Sequence, residues 1–109
     1  MSPALFLAQR VTAVILAVAV TLHLATILYA AQHGITAGAI LGRTRGNLAF
    51  LALYVAFVLA AAVHGPIGLR TILREWAGWA GRRVDLPLIA FALLVAMLGL
   101  RAAYGLYAA

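Results

Sequence analysis

The chain has 109 residues, of which 67% are hydrophobic and 9% charged, and its formal net charge is +6. Soluble domains carry roughly a quarter of charged residues, so this composition excludes a soluble globular protein. The absence of cysteine also excludes a disulfide, a zinc–thiolate site and an iron–sulfur cluster held by this chain. The sequence is therefore that of a membrane protein.

Three long runs of nearly uncharged residues predict three transmembrane helices. The runs cover residues 11–31, 48–69 and 86–109. Each has about 20 residues or more, which is enough to cross roughly 30 Å of hydrocarbon as a helix. We predict one all-α integral membrane domain spanning the whole chain, residues 1–109, as part of a larger helical bundle formed with a second chain. Its helices are expected at about residues 4–31, 48–76 and 86–108.

The first helix is expected to begin near Pro3, because the fixed φ of proline suits the first turn of a helix. Arg10 precedes the apolar run, as in a secretory signal, but the run exceeds the usual 7–15 residues and no small-residue cleavage site follows it. We therefore favour a membrane span over a cleaved leader. The helix is predicted to end by the Gln32-His33-Gly34 break, and the glycine-rich loop beyond it has room for a short interfacial helix at Thr36–Leu41.

The second helix contains a proline and the third begins with one. Pro66 removes the helical hydrogen bond to the carbonyl of Ala62, so we expect a bend just beyond His64. A loop with two arginines separates the two helices. Asp85 is predicted to be the N-cap of the third helix, with Pro87 in its first turn.

All eight basic residues are arginines that flank the apolar runs. Because they form no stripe with interleaved aromatic residues, membrane topology explains them better than nucleic acid binding does. One side of the membrane receives Arg10, Arg70, Arg74, Arg82 and Arg83. The other side receives Arg43, Arg45 and Arg101. Cytoplasmic loops carry the excess of basic residues, so we predict a multi-pass protein of the inner (cytoplasmic) membrane with a cytoplasmic N-terminus.

Two histidines, His23 and His64, lie in different apolar segments, where an ionisable residue usually serves a function. His23 follows Arg10 by thirteen residues and His64 precedes Arg70 by six, which places them about 20 Å and about 9 Å from the cytoplasmic surface. At this separation they cannot bind the same metal ion. Each would take a second iron ligand from a partner chain, as in a dimer that pairs each histidine with its copy.

A structural role is the alternative for each histidine, since a membrane histidine often bonds a backbone carbonyl or a threonine on a neighbouring helix. For His23 the sequence leaves both roles open, with Thr21 and Thr26 nearby. Around His64, small residues at spacings of four pack helices closely or leave room for a flat macrocycle. His33, in the glycine-rich loop, is predicted to be a solvated surface residue.

The second helix contains the pattern His-x3-Gly-x-Arg-x4-acid, formed here by His64, Gly68, Arg70 and Glu75. This pattern resembles the haem-ligand helix of the membrane-anchor cytochrome b subunits of succinate dehydrogenase and fumarate reductase. The start of the first helix is similar to the His-Arg-Val-Ser-Gly segment of that family. The corresponding residues here are Gln9-Arg10-Val11-Thr12-Ala13.

The resemblance implies roles for individual residues. His64 would be an axial ligand of haem b near the cytoplasmic side, with Gly68 and Arg70 beside the cofactor. His23 would bind the iron of an outer haem, so that a dimer of anchor chains holds one or two haems. The quinone pocket would be formed by Arg10, Thr12, Glu75 and Trp76. Arginines at the other end of the bundle could meet the propionates of the outer haem.

The function implied is that of a non-catalytic electron-transfer subunit of the respiratory chain. It would pass electrons between an iron–sulfur subunit and membrane quinone, with the flavin site on a partner flavoprotein. One alternative is a haem-free anchor that only docks soluble subunits. A small transporter or channel is less favoured, because polar groups along a path are scarce and the third helix has only Arg101 inside its apolar run.

Overall fold

The computed structural model describes residues 2–109. Within them the chain forms helices and connecting turns, with no strand. The elements in chain order are α1 (Pro3–His33), α2 (Ala37–Thr44), α3 (Leu48–Ile72), a π-helix (Leu73–Ala77) and α4 (Arg82–Ala108). Three segments are long and apolar enough to cross a membrane: α1, α3 with the π-helix, and α4. The prediction of an all-α integral membrane protein is confirmed.

Local sequence signals explain where the helices begin. Ser2 is the N-cap of α1, and its side chain accepts a hydrogen bond from the Leu5 N–H at 3.2 Å. Thr36 caps α2 in the same way, and Asn47 caps α3. Side chains of this kind satisfy the free N–H groups of a first helical turn. The interfacial helix therefore exists, although it extends to Thr44 rather than ending at Leu41.

The start of the third membrane helix was predicted wrongly. The helix α4 begins at Arg82, after Gly81, and Asp85 lies within its first turn instead of capping it. Gly81 has a φ of 89°, which glycine adopts without steric cost. A carboxylate in a first turn is favoured by the helix dipole. The Asp85 side chain also forms an ion pair with Arg70 on α3.

The membrane-spanning part of the second helix is regular up to Ile72 and then changes its winding. The helix continues through Pro66, which is buried, and the bend expected there stays a prediction. The winding widens into the π-helix at Leu73, and this element ends at Gly78, whose φ is 70°. The Gly78 N–H bonds the carbonyl of Leu73.

The helix α3 packs between α1 and α4 in a molecule 48 Å long and 22 Å across. Most of the buried residues on the long helices are small, among them Ala19, Ala60, Ala62 and Ala103. Large apolar side chains such as Val14 and Leu93 are instead exposed. Small residues allow helix backbones to approach closely in lipid, where exposed apolar side chains carry no cost. This distribution suits a bundle surrounded by hydrocarbon.

The helix α2 closes one end of the bundle, which we call the α2 end. The Thr44 hydroxyl donates to the carbonyl of Leu106 at 3.1 Å, and the Gly46 N–H bonds the carbonyl of Tyr107 at 2.8 Å. Both bonds tie the turn after α2 to the last turns of α4. The opposite end, at the starts of α1 and α4 and the π-helix, is called the N-terminal end.

Candidate functional site

His64 on α3 is held by a threonine of α1. Its Nδ1 lies 3.3 Å from the hydroxyl oxygen of Thr12, a buried residue. The Thr12 hydroxyl lies 2.7 Å from the carbonyl of Ala8, one turn earlier on α1, and donates its proton there. With its proton directed to that carbonyl, the threonine oxygen can accept a hydrogen bond from His64 Nδ1, and in that tautomer the lone pair of the ring is on Nε2. A histidine fixed in this way is arranged as metal ligands usually are.

One turn beyond His64, Gly68 lies against the side chain of Gln9. A Cβ atom at Gly68 would be 3.3 Å from Gln9 Nε2. The Gln9 Oε1 atom is buried and has no hydrogen-bond partner within residues 2–109. Gly68 was predicted to adjoin a cofactor, and the neighbour found for it is this glutamine. An unpaired buried acceptor is costly, so Gln9 is suited to accept a hydrogen bond from a ligand or a partner chain.

His23 occupies a different level of the α1–α3 interface. Its ring makes edge-to-face contacts with Tyr54 and Phe57 of α3, at centroid distances of 5.9 and 5.7 Å. These residues precede His64 by ten and seven positions, which is about 10–15 Å along a helix. The Nδ1 of His23 is buried and has no partner in the described chain. The two histidines therefore lie at separate depths, and His23 lacks the anchoring that His64 has.

A large cavity adjoins His23 at the α2 end. Its volume is about 840 Å³, and its walls are mostly apolar side chains of α1 and α3. Arg43 and Asn47 are among its polar lining residues. The Arg43 guanidinium donates to the carbonyl of Gly34 at 2.6 Å and lies over the ring of Tyr29. The cavity thus has an imidazole on α1 and a cation from α2.

The third histidine has a local role at the end of α1. His33 is exposed and stacks on Tyr29, with ring centroids 4.0 Å apart. Its Nδ1 is 3.0 Å from the carbonyl of Tyr29. No group of three His, Cys, Asp or Glu side chains within residues 2–109 is arranged to hold a metal ion. Each membrane histidine therefore offers one ligand by itself.

The residues predicted to hold quinone lie at two levels of the bundle. Arg10 is exposed and lies over the Phe6 ring, while Thr12 is engaged by His64. Glu75 and Trp76 are exposed on the π-helix. Gly68 contacts α1 next to Arg10, and Glu75 lies seven residues further along the second membrane helix. Arg10 and Thr12 are therefore separated from Glu75 and Trp76 by about 10 Å along the bundle. No hydrogen bond or ion pair within the described chain joins them.

Arg70 is bound to α4. Its Nε lies 2.8 Å from Asp85 Oδ1, and the pair borders a pocket of about 340 Å³ at the N-terminal end. Six residues separate Arg70 from His64, so the two side chains leave α3 about 120° apart around its axis. The sequence pattern did not indicate this pair, because Asp85 had been interpreted as a cap of its own helix.

The apolar helices, their burial pattern and a histidine held by a second helix define an all-α membrane subunit. The family model described as succinate dehydrogenase/fumarate reductase transmembrane subunit matches residues 2–102. The chain belongs to this family. No curated protein and no solved structure gives a significant match. As a member of this family, the chain lies in the bilayer and is a membrane anchor of a complex that also has soluble catalytic subunits.

Proposed function

We propose that this chain is the haem b-containing anchor of a succinate dehydrogenase- or fumarate reductase-type complex, which transfers electrons between an iron–sulfur subunit and membrane quinone. The observation that carries the proposal is the bond between His64 and Thr12. In the tautomer that donates from Nδ1 to Thr12, the bond holds the ring against α1, and Nε2 would bind iron. A bound haem would supply one-electron transfer within the bilayer.

The geometry calls for a partner in haem binding. His64 is the one histidine at its level of the bundle, so the second axial ligand would come from another chain. A two-fold dimer would place His64 of each copy on opposite sides of one haem, and a related subunit could supply a histidine equally well. Gln9 Oε1, buried beside Gly68 without a donor, is available to a protonated propionate or to a side chain of the partner.

A second haem would be placed at the α2 end. His23 and the 840 Å³ cavity beside it provide an iron ligand and space, and the Arg43 guanidinium is a suitable partner for a propionate. The unpaired Nδ1 of His23 would need an acceptor from the partner chain. Replacing His23 with Phe is expected to remove one haem from each dimer and to retain the other, because His64 lies at a different depth. Unchanged haem content in H23F would remove the outer haem from the proposal.

Exposed groups at the N-terminal end would meet the soluble subunits and the quinone. Arg10, Glu75 and Trp76 are accessible there, and Trp76 is 86% exposed. An indole N–H can donate to a quinone carbonyl oxygen, whereas a carboxylate can accept from a hydroquinone hydroxyl and relay protons. This end would face the cytoplasm, with the N-terminus, as the distribution of arginines suggests.

The haem content of the purified complex tests the proposal. The complex would be isolated in detergent, and its dithionite-reduced minus oxidised spectrum recorded with a pyridine haemochrome count per chain. One haem b for each chain supports a dimer with two haems, and one for each pair of chains supports the inner site alone. A complex without haem would contradict the proposal and leave the haem-free anchor.

Thr12 should influence the spectrum and affinity of the inner haem without being a ligand. Replacing it with Val removes the acceptor for His64 Nδ1 at similar volume, while Ser keeps the hydroxyl. Loss of a bond of this kind to a metal ligand typically lowers affinity by about 10- to 100-fold. We expect the T12V complex to lose haem on dilution and its remaining inner haem to have a shifted midpoint potential. The T12S complex should resemble the wild type. Equal behaviour of both variants would assign Thr12 to packing only.

A further inference from the structure

A groove between α3 and α4 has charged groups at one end and apolar walls along the rest of its length. It is the pocket of about 340 Å³ that the Arg70–Asp85 pair borders. From Asp85 to Ala92, α4 extends about 10 Å away from the N-terminal end. The charges therefore lie at the end of the groove nearest the membrane surface. The apolar walls are formed by Leu5, Ala62, Val63, Pro66, Ile67, Leu88, Ile89 and Ala92.

The ion pair leaves most of its hydrogen-bonding groups available. A guanidinium and a carboxylate often form two parallel bonds, but here the contact joins Arg70 Nε to Asp85 Oδ1 alone. Within residues 2–109 neither side chain has another hydrogen bond. Both are partly exposed, at 31% and 38%. The two terminal nitrogens of Arg70 and the second oxygen of Asp85 can therefore bond a ligand.

The two opposite charges of the site select a zwitterionic ligand. An anionic lipid would be attracted by Arg70 but repelled by Asp85. A zwitterionic phospholipid instead offers its phosphate to the guanidinium, a favourable charge-assisted contact, and its cationic group to the carboxylate. A primary ammonium has three N–H donors, whereas the trimethylated ammonium of choline has none. Asp85 therefore favours an ethanolamine head group over a choline head group.

The groove is open to the hydrocarbon along its walls, as an acyl chain requires. Val63 and Ile89, on opposite helices, are 41% and 55% exposed. We propose that this groove binds a phosphatidylethanolamine molecule, with its phosphate at Arg70, its ammonium at Asp85 and an acyl chain along the apolar walls. The His64 side chain leaves α3 about 120° away from that of Arg70. Neither haem nor quinone takes part, so the lipid site stands or fails independently of the proposed function.

The lipid preference of the purified complex tests the site. The intact complex would be delipidated in detergent and mixed with dioleoyl phosphatidylethanolamine, phosphatidylcholine or phosphatidylglycerol, and its bound lipids counted by native mass spectrometry. We expect one ethanolamine lipid for each copy of this chain, bound about tenfold more tightly than the other two lipids. Successive N-methylation of the ethanolamine should weaken binding stepwise, because each methyl group removes an N–H donor. Equal binding of all these lipids would overturn the inference.

Variants of the intact complex assign the bound lipid to this groove. Arg70→Gln should weaken binding of the ethanolamine lipid about tenfold. Asp85→Asn should abolish the preference for ethanolamine and, by leaving the guanidinium without its carboxylate, shift it towards phosphatidylglycerol. Ala92→Phe fills the apolar part of the groove and should weaken binding of all three lipids. Arg82→Gln, an exposed arginine at the same end, is the matched control and should change none of these values.

Co-purification of the soluble subunits checks that each variant is assembled. Lipid preferences that are unchanged in R70Q, D85N and A92F would overturn the inference, because the ethanolamine lipid would then be bound elsewhere in the complex. Where a variant does not assemble, the methylation series on the wild-type complex decides, and binding that does not fall with methylation would overturn the role of Asp85. A complex that lacks haem but keeps the ethanolamine preference would contradict the proposed function alone.

Discussion

Replacing His64 with Ala is expected to remove one haem from every pair of chains. The substitution deletes the imidazole that Thr12 orients, and an alanine offers no ligand to iron. The Thr12 hydroxyl keeps its bond to Ala8 within α1, and the contact of Gln9 with Gly68 is untouched, so α1 and α3 should stay packed. Haemochrome analysis of the purified complex measures the loss, and the succinate-to-dye rate checks that the soluble subunits are still docked.

Two further variants make the H64A result specific. His33→Ala removes an exposed histidine from the end of α1, and haem content should not change. His64→Met replaces the imidazole with a thioether, which can also bind haem iron and raises its potential. We expect H64M to retain haem in part, with an altered spectrum and a higher midpoint potential. Full haem content and an unchanged spectrum in H64A would show that His64 is not a ligand.

The membrane helices were predictable because length and lack of charge are sufficient to identify them. The start of α1 was also predictable, since the fixed φ of Pro3 suits a first turn, whereas the cap provided by Ser2 was seen only in the structure. The start of α4 was not predictable, because Arg82 resembles a loop residue and Asp85 resembles a helix cap. In the structure Asp85 lies in the first turn of α4 and pairs with Arg70 on α3. A contact between helices depends on how each helix is rotated about its axis, and the residues around a single position do not determine this rotation.

The same limit applies to the candidate site. The sequence singled out His64 by its motif and its place in an apolar segment. It could not show that Thr12 faces this histidine, since that requires the register of two antiparallel helices. The register is visible in the structure, where Gln9 meets Gly68 and Thr12 meets His64. Resemblance had suggested Thr12 for quinone, whereas the geometry gives its hydroxyl another partner.

Replacing Gly99 with Leu should have the largest effect on the fold itself. The helices α3 and α4 approach each other closely where Gly99 meets Val58. A Cβ atom at Gly99 would lie 2.5 Å from Val58 Cγ1 and 2.8 Å from Cγ2, so a leucine must force the helices apart. Overpacking typically costs about 1–3 kcal/mol, and here it acts on an interface that small residues hold together. We expect a marked fall in the Tm of the complex in detergent.

Gly105 provides the matched control on the same helix, because no atom lies within 4 Å of a Cβ placed there. The substitution G105L should leave Tm nearly unchanged, whereas G99L lowers it. The milder variant Gly99→Ala, which adds only a Cβ atom, should also lose stability, and combining it with Val58→Ala should recover part of the loss, since that change removes the two methyl groups that clash. Equal effects of G99L and G105L would contradict the close approach. His64 lies between α3 and α1, so any G99L complex that remains assembled should keep its haem, which separates the packing of α4 from ligation of iron.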